Sequence, residues 1–153
     1  MWQGTSVTDA DETPRVAVRV ERTGPGRYSA VNARGGRIAF GTGAADDFAP
    51  VELLLAAIGG CTSIDVDVVT ARRAEPDEFA VTVSAESVRD ESGHHLTGIE
   101  VTYRIVFPAG PDGDQARALL PDQVRRSHDR LCTVGRTVEL GTPIATRIDA
   151  GCP

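Results

Sequence analysis

Three cysteines carry the covalent chemistry open to this sequence, and they sit in different surroundings. Cys61 follows Gly59 and Gly60 within an apolar stretch, and Cys132 lies in Ser127-His128-Asp129-Arg130-Leu131-Cys132-Thr133-Val134. Cys152 is penultimate, in an Ala-Gly-Cys-Pro tail without periodic context, and is read as incidental. A free cysteine packs by default as a small hydrophobe, so each thiol has to be weighed as packing, as a metal ligand or as a redox group. The metal reading is weak, because His94, His95, His128 and Cys132 form no CxxC or HxxxH array. His94 and His95 sit instead in a hairpin-turn signal, where polar residues are expected.

Cys61 departs from the inert default through its two glycines. Each glycine inside a helix costs roughly 0.8–1 kcal/mol relative to alanine, so the pair needs a compensating use. Close approach of another helix is one such use, and room for a substrate beside the sulfur is the other; at a dimer interface both could hold. A thiol in mid-helix gains little from the helix dipole, so Cys61 needs a nearby cation to serve as a thiolate near neutral pH. Arginine must supply it: all 16 basic residues are Arg, and the absence of Lys excludes a Schiff-base lysine. At ~100° per residue, Leu54, Ile58, Asp65 and Val68 share the azimuth of Cys61, whereas Glu52 falls on the opposite side. Cys132 lies beyond a helix boundary with three ionisable side chains close by in sequence, a more suggestive setting than a uniformly apolar one.

The elements that must position these thiols are legible from periodicity. Val16, Val18 and Val20 alternate with polar or small residues, Thr23-Gly24-Pro25-Gly26 makes a turn, and Tyr28 to Val31 resumes an extended pattern. Arg34-Gly35-Gly36 is a second turn before a short strand Arg37 to Phe40, which gives an antiparallel meander. Asp46 or Asp47 is expected to cap a helix of about 22 residues with Pro50 and Glu52 early, Arg72 and Arg73 in its last turn, and a stop at Pro76. Its half from Val51 to Ile58 is apolar on almost every face, which predicts a central helix buried on all sides. Phe79 to Ser84 and Ile99 to Phe107 read as two long paired strands. Helices are expected over Gln115 to Arg126 and Ser127 to Val138, with a return strand over Thr142 to Ile148.

Size and charge bound the function. A chain of 153 residues and 16.2 kDa fits one domain, placed here at 15–153 behind a flexible tail at 1–14. A net charge of -6 without a basic stripe argues against nucleic acid. The N-terminus lacks the basic start and apolar core of a signal peptide, and the reading finds no apolar run of roughly 18 residues, so a cytoplasmic protein without membrane contact is expected. In that reducing compartment three cysteines are no static framework.

The stretch Ala49-Pro50-Val51-Glu52-Leu53-Leu54-Leu55-Ala56-Ala57-Ile58-Gly59-Gly60-Cys61-Thr62-Ser63-Ile64-Asp65-Val66 resembles the central helix of the OsmC/Ohr superfamily, where a Pro-x-Glu-Leu start leads to a peroxidatic cysteine. The segment around Cys132 is similar to the one bearing that family's second cysteine, and the element order agrees over about residues 15 to 148. The Gly-Gly-Cys helix is similar to that of a less-characterised branch. What the resemblance implies is an α+β OsmC-like fold in an intertwined homodimer, and a peroxidase that reduces organic, fatty-acid-like hydroperoxides in stress defence. Cys61 would attack the peroxide, Cys132 would resolve the sulfenic acid as a Cys61–Cys132 disulfide, and a dithiol reductant, a lipoyl protein or a thioredoxin-like one, would reset the enzyme without cofactor or metal. Such a disulfide requires Cα atoms about 4.4–6.8 Å apart. Family members activate the thiolate with a glutamate ten residues before the cysteine and an arginine in the N-terminal strands. Here the tenth position is Val51, with Glu52 one residue off, and Arg27 is chosen for the arginine from among Arg19, Arg22, Arg27 and Arg37. The displaced glutamate keeps open the alternative of a stress-associated or lipid-binding protein with little turnover. A redox sensor or thiol-modifying enzyme that uses Cys61 on another electrophile is a third reading.

Overall fold

The computed structural model describes residues 13–149. The expected tail at 1–14, apart from its last two residues, lies outside them, as does Cys152. Chain order gives β1 (Val18–Gly24), β2 (Arg27–Asn32), β3 (Arg37–Gly41), α1 (Pro50–Thr70), β4 (Glu78–Asp90), β5 (Gly93–Val106), α2 (Pro111–Arg126), a π turn (Ser127–Leu131) and α3 (Thr133–Glu139). The chain forms two compact units, the first ending at Pro50 and the second starting at Val51.

The first unit is an antiparallel sheet in the order β1-β2-β3. Gly26, at φ +65, supplies the left-handed residue that lets β1 turn into β2. Asn32 closes the next turn, its Oδ1 accepting from the amides of Arg34 and Gly36, each at 2.9 Å. Tyr28 and Phe40 are register partners and stack with ring centroids 5.7 Å apart.

Helix α1, which from Val51 on belongs to the second unit, opens with Pro50, whose fixed φ suits a first helical position. Ala49 rather than Asp46 or Asp47 precedes it, and the helix ends at Thr70, so Arg72 and Arg73 fall in the turn beyond rather than in its last turn. The Thr70 hydroxyl bonds back to the Val66 carbonyl at 3.1 Å. The buried residues Ile58, Thr62, Val66 and Thr70 recur every four positions and, with Gly59, make one face. Val51, Leu54, Ile64 and Val68 are exposed, which corrects the expectation of burial on all sides. With a mean hydropathy of 1.6, α1 is also long and apolar enough to cross a bilayer, contrary to the expectation that no run is. A core helix passes the same test, and α1 packs Gly59 against Val83 of β4.

β4 and β5 pair antiparallel around Glu91 and Ser92, with Phe79 opposite Ile105, Val81 opposite Tyr103 and Val83 opposite Val101. The register slips by one where Ser84 faces Glu100 but Glu86 faces Thr97, and the extra length on β5 includes Gly98 at φ +58. After this bulge Ile99, Val101, Tyr103 and Ile105 fall on one half-buried face.

Helix α2 starts earlier than the expected Gln115: Gly110 caps it, Pro111 enters its first turn, and Asp112 and Asp114 complement the positive end of its dipole. Pro and Gly that read as a loop are thus its entry. The expected helix over Ser127 to Val138 is instead a π turn followed by α3. The expected strand over 142–148 is absent: Pro143 lacks an amide donor, and Ile144 and Ile148 are exposed.

Candidate active site

The second unit brings Cys61 and Cys132 together. Cys61 is half-buried in mid-α1, Cys132 is buried at 3% exposure, and both are free thiols. Cys132 caps α3, its Sγ accepting from the Gly135 amide at 3.2 Å, while its own amide donates to the Ser127 carbonyl at 2.9 Å and completes the π turn. Burial pushes the Cys132 thiol above its ordinary value, and the Gly135 amide opposes the shift. A hydrogen bond with Cys61 and the negative charges of Cys61 and Asp65 push it further up. Burial and these neighbours therefore favour the protonated form of Cys132.

A line of hydroxyls, buried at Thr62 and Ser127 and half-buried at Tyr103, runs next to the thiols. Tyr103 OH lies 2.5 Å from Thr62 Oγ1, which lies 2.8 Å from Ser127 Oγ, and Ser127 Oγ donates to Asp65 Oδ2 at 2.8 Å. The carboxylate end fixes the direction of the whole line. Ser127 has one proton and gives it to Asp65, so it accepts from Thr62; Thr62 in turn accepts from Tyr103. The Tyr103 phenol is thus required in its protonated form, in keeping with burial, the largest cause of its raised pKa, and with the charges of Cys132 and Asp65. Among the described residues no buried side-chain polar atom lacks a partner.

A pocket of about 310 Å³ opens on this arrangement, walled by Ile58, Ile99, Val101 and Val124 and by the polar Thr62, Glu100, Tyr103 and His128, with Cys132 in its lining. Cys61 is not part of that lining. The exposed His128 pairs with Glu139 at 3.6 Å, and Glu139 also accepts from Arg136 at 2.8 Å.

Of the other expected site residues, Glu52 occupies the first turn of α1 and is exposed. Arg27 is exposed at the start of β2 in the first unit, where it pairs in register with Gly24 and Gly41. The sequence reading placed Asp65 on the azimuth of Cys61 but missed Thr62, Tyr103 and Ser127. Their only sequence signal was polarity at positions otherwise suited to a core face. Among the described residues no group of three or more His, Cys, Asp or Glu side chains could hold a metal ion.

Comparison with known proteins places this architecture. The family model described as OsmC-like protein matches residues 42–147. An uncharacterised protein of Mycobacterium tuberculosis H37Rv is 35% identical over 127 residues, covering 82% of this chain and 90% of the relative. A hypothetical protein from Aquifex aeolicus superposes with a TM-score of 0.66 at 21% identity, over 85% of this chain and 91% of that one. An organic hydroperoxide resistance protein OsmC from Legionella pneumophila gives 0.54 at 14% identity, over 84% and 91%. The fold is of the α+β class, with antiparallel strands and helices. The chain belongs to the OsmC-like protein family, within the OsmC/Ohr superfamily.

Proposed function

We propose that this protein is a cysteine-based thiol peroxidase that reduces organic hydroperoxides in the cytoplasm. The observation that carries the reading is the pairing of Cys61 with a buried Cys132 beside a largely apolar pocket. The Cys61 thiolate attacks the distal peroxide oxygen, the O–O bond breaks, and the alkoxide leaves with a proton as the alcohol. Cys132 then attacks the sulfenic sulfur, the S–O bond breaks, and hydroxide departs with the Cys132 proton as water, leaving the disulfide. A dithiol reductant of lipoyl or thioredoxin-like type reverses that last bond. Organic hydroperoxide resistance named for a superfamily relative of the same fold supports the substrate class. The apolar residues Val51, Leu54, Ile64 and Val68 exposed on α1 support a homodimer, in which Arg27 and Glu52 are the candidates for activating Cys61.

Stopped-flow oxidation of the reduced protein by tert-butyl hydroperoxide and by hydrogen peroxide, with mass spectrometry of the product, tests this. Fast, organic-selective formation of a Cys61–Cys132 disulfide is expected, and Cys132→Ser should consume one equivalent and stop. Oxidation no faster than that of a free thiol would remove the peroxidase reading. One observation favours a second reading, lipid binding with little turnover: the pocket is lined by Cys132 and not by Cys61. Undiminished binding of a fatty acid by a variant with both cysteines changed to Ser, together with absent turnover in the parent, would support it.

A further inference from the structure

Ser127 reaches both cysteine-bearing segments, and it does so with different atoms. Its carbonyl accepts the Cys132 amide at 2.9 Å. Its hydroxyl lies 2.8 Å from Thr62 Oγ1, on the residue after Cys61, and donates to Asp65 one helical turn further along α1, also at 2.8 Å. The residue is fully buried, at 0% exposure. A serine in a helix commonly turns its hydroxyl back on its own preceding turn. Here the hydroxyl is committed to another helix, at the place where the backbone widens into a single π turn, a form rare in helices and frequent at functional sites.

We propose that Ser127 is the positioning residue of the disulfide step. It fastens the turn that carries Cys132 to the helix that carries Cys61, and so holds the two sulfurs within reach of each other before either is oxidised. The proposal rests on the thiol–disulfide reading of the site but not on a peroxide as the oxidant. Forming the disulfide releases two protons and two electrons, and any disulfide oxidant can take them. The side chains that face Ser127 give the proposal its specificity. Without its hydroxyl Thr62 loses an acceptor and Asp65 a donor, while the Cys132 amide bond to the Ser127 carbonyl survives.

The test is the equilibrium between the Cys61–Cys132 pair and glutathione–glutathione disulfide buffers, in the full chain with Cys152→Ser, read by mass spectrometry. Ser127→Ala and the isosteric Thr62→Val should each lower the effective concentration of the pair at least tenfold, which corresponds to a potential about 30 mV less reducing. Thr62→Ser, which keeps the hydroxyl, should return to the parent value, and Asp65→Asn, which keeps an acceptor, should stay within threefold. Potentials within threefold of the parent for both Ser127→Ala and Thr62→Val would overturn the proposal, as would a lowered urea midpoint with an unmoved potential. If Ser127→Ala does not fold, the Thr62→Val and Thr62→Ser pair decides the matter alone. A shifted potential without peroxide turnover would uphold the clamp and remove the peroxidase reading; turnover with an unshifted potential would do the reverse.

Discussion

The sheet of the first unit and the helix-and-hairpin layers of the second follow the same alternation rules yet bury their residues to very different degrees. In β1 and β3 the apolar side chains Val18, Val20 and Ile38 remain 55–66% exposed. In the second unit Val66, Thr70, Ala116 and Ser127 are at 0%. Alternation settles which residues share a face, but burial needs a second layer, and the second unit supplies one where α1 lies on β4. That layer is also what makes a hydroxyl chain ending on a carboxylate possible. Polar groups removed from water must find partners, and one unsatisfied member costs about 1–3 kcal/mol.

The largest expected effect tests that contrast directly. Val66→Ala removes two methyl groups from a fully buried site and should cost about 2–3 kcal/mol in urea denaturation of the reduced protein. Ile38→Thr, at 57% exposure, should stay within about 0.5 kcal/mol. Equal losses would break the comparison and mean that a further surface covers the sheet in solution. Next in size are the two helix glycines, for which opposite signs are expected. A Cβ on Gly59 would stand 3.0 Å from Val83 Cγ2, so Gly59→Ala should cost about 1 kcal/mol net, the overpacking being larger than the gain in helix propensity. A Cβ on Gly60 meets nothing within 4 Å, and Gly60→Ala should stabilise the chain by about 0.5–1 kcal/mol. A loss at Gly60 accompanied by a change in oligomeric state would show that a second copy covers that side of α1.

These residues also show how far the sequence could be read. The pair Gly59-Gly60 left close packing and access to the sulfur equally open, and the structure divides the two glycines between β4 and open space. Strand pairs were legible because their apolar periods are local, and the long helix because Pro50 and Pro76 bound it in the sequence. The full burial expected for α1 was not, since hydrophobicity records what a side chain prefers and not what covers it. Pro111 and Gly110 read as loop residues although they are entry signals for α2, and the π turn has no periodic signature. The hydroxyl line was illegible for a different reason. Thr62, Tyr103 and Ser127 come from three elements, and no local pattern couples residues 41 and 65 positions apart. Asp65 could be placed near Cys61 because both lie on one helix.

The smallest effect concerns protons. Burial, Cys61 and Asp65 hold the Cys132 thiol above its ordinary value of 9.0 in the folded protein. Below that value both folded and unfolded chains keep the proton, so this thiol adds no pH slope. Above it the unfolded chain releases its proton first, the folded chain binds more protons, and stability falls as pH rises through the folded pKa. Urea denaturation of the reduced protein between pH 8 and about 10, kept below the range where Tyr103 adds a loss of the same sign, should therefore show a decline that Cys132→Ser flattens. Cys61→Ser should flatten it only in part, because it removes a hydrogen bond and a charge but leaves burial, the largest cause, in place. An undiminished decline in Cys132→Ser would assign the pH dependence to another group and leave the second unit without the buried, proton-holding thiol that separates it from the first.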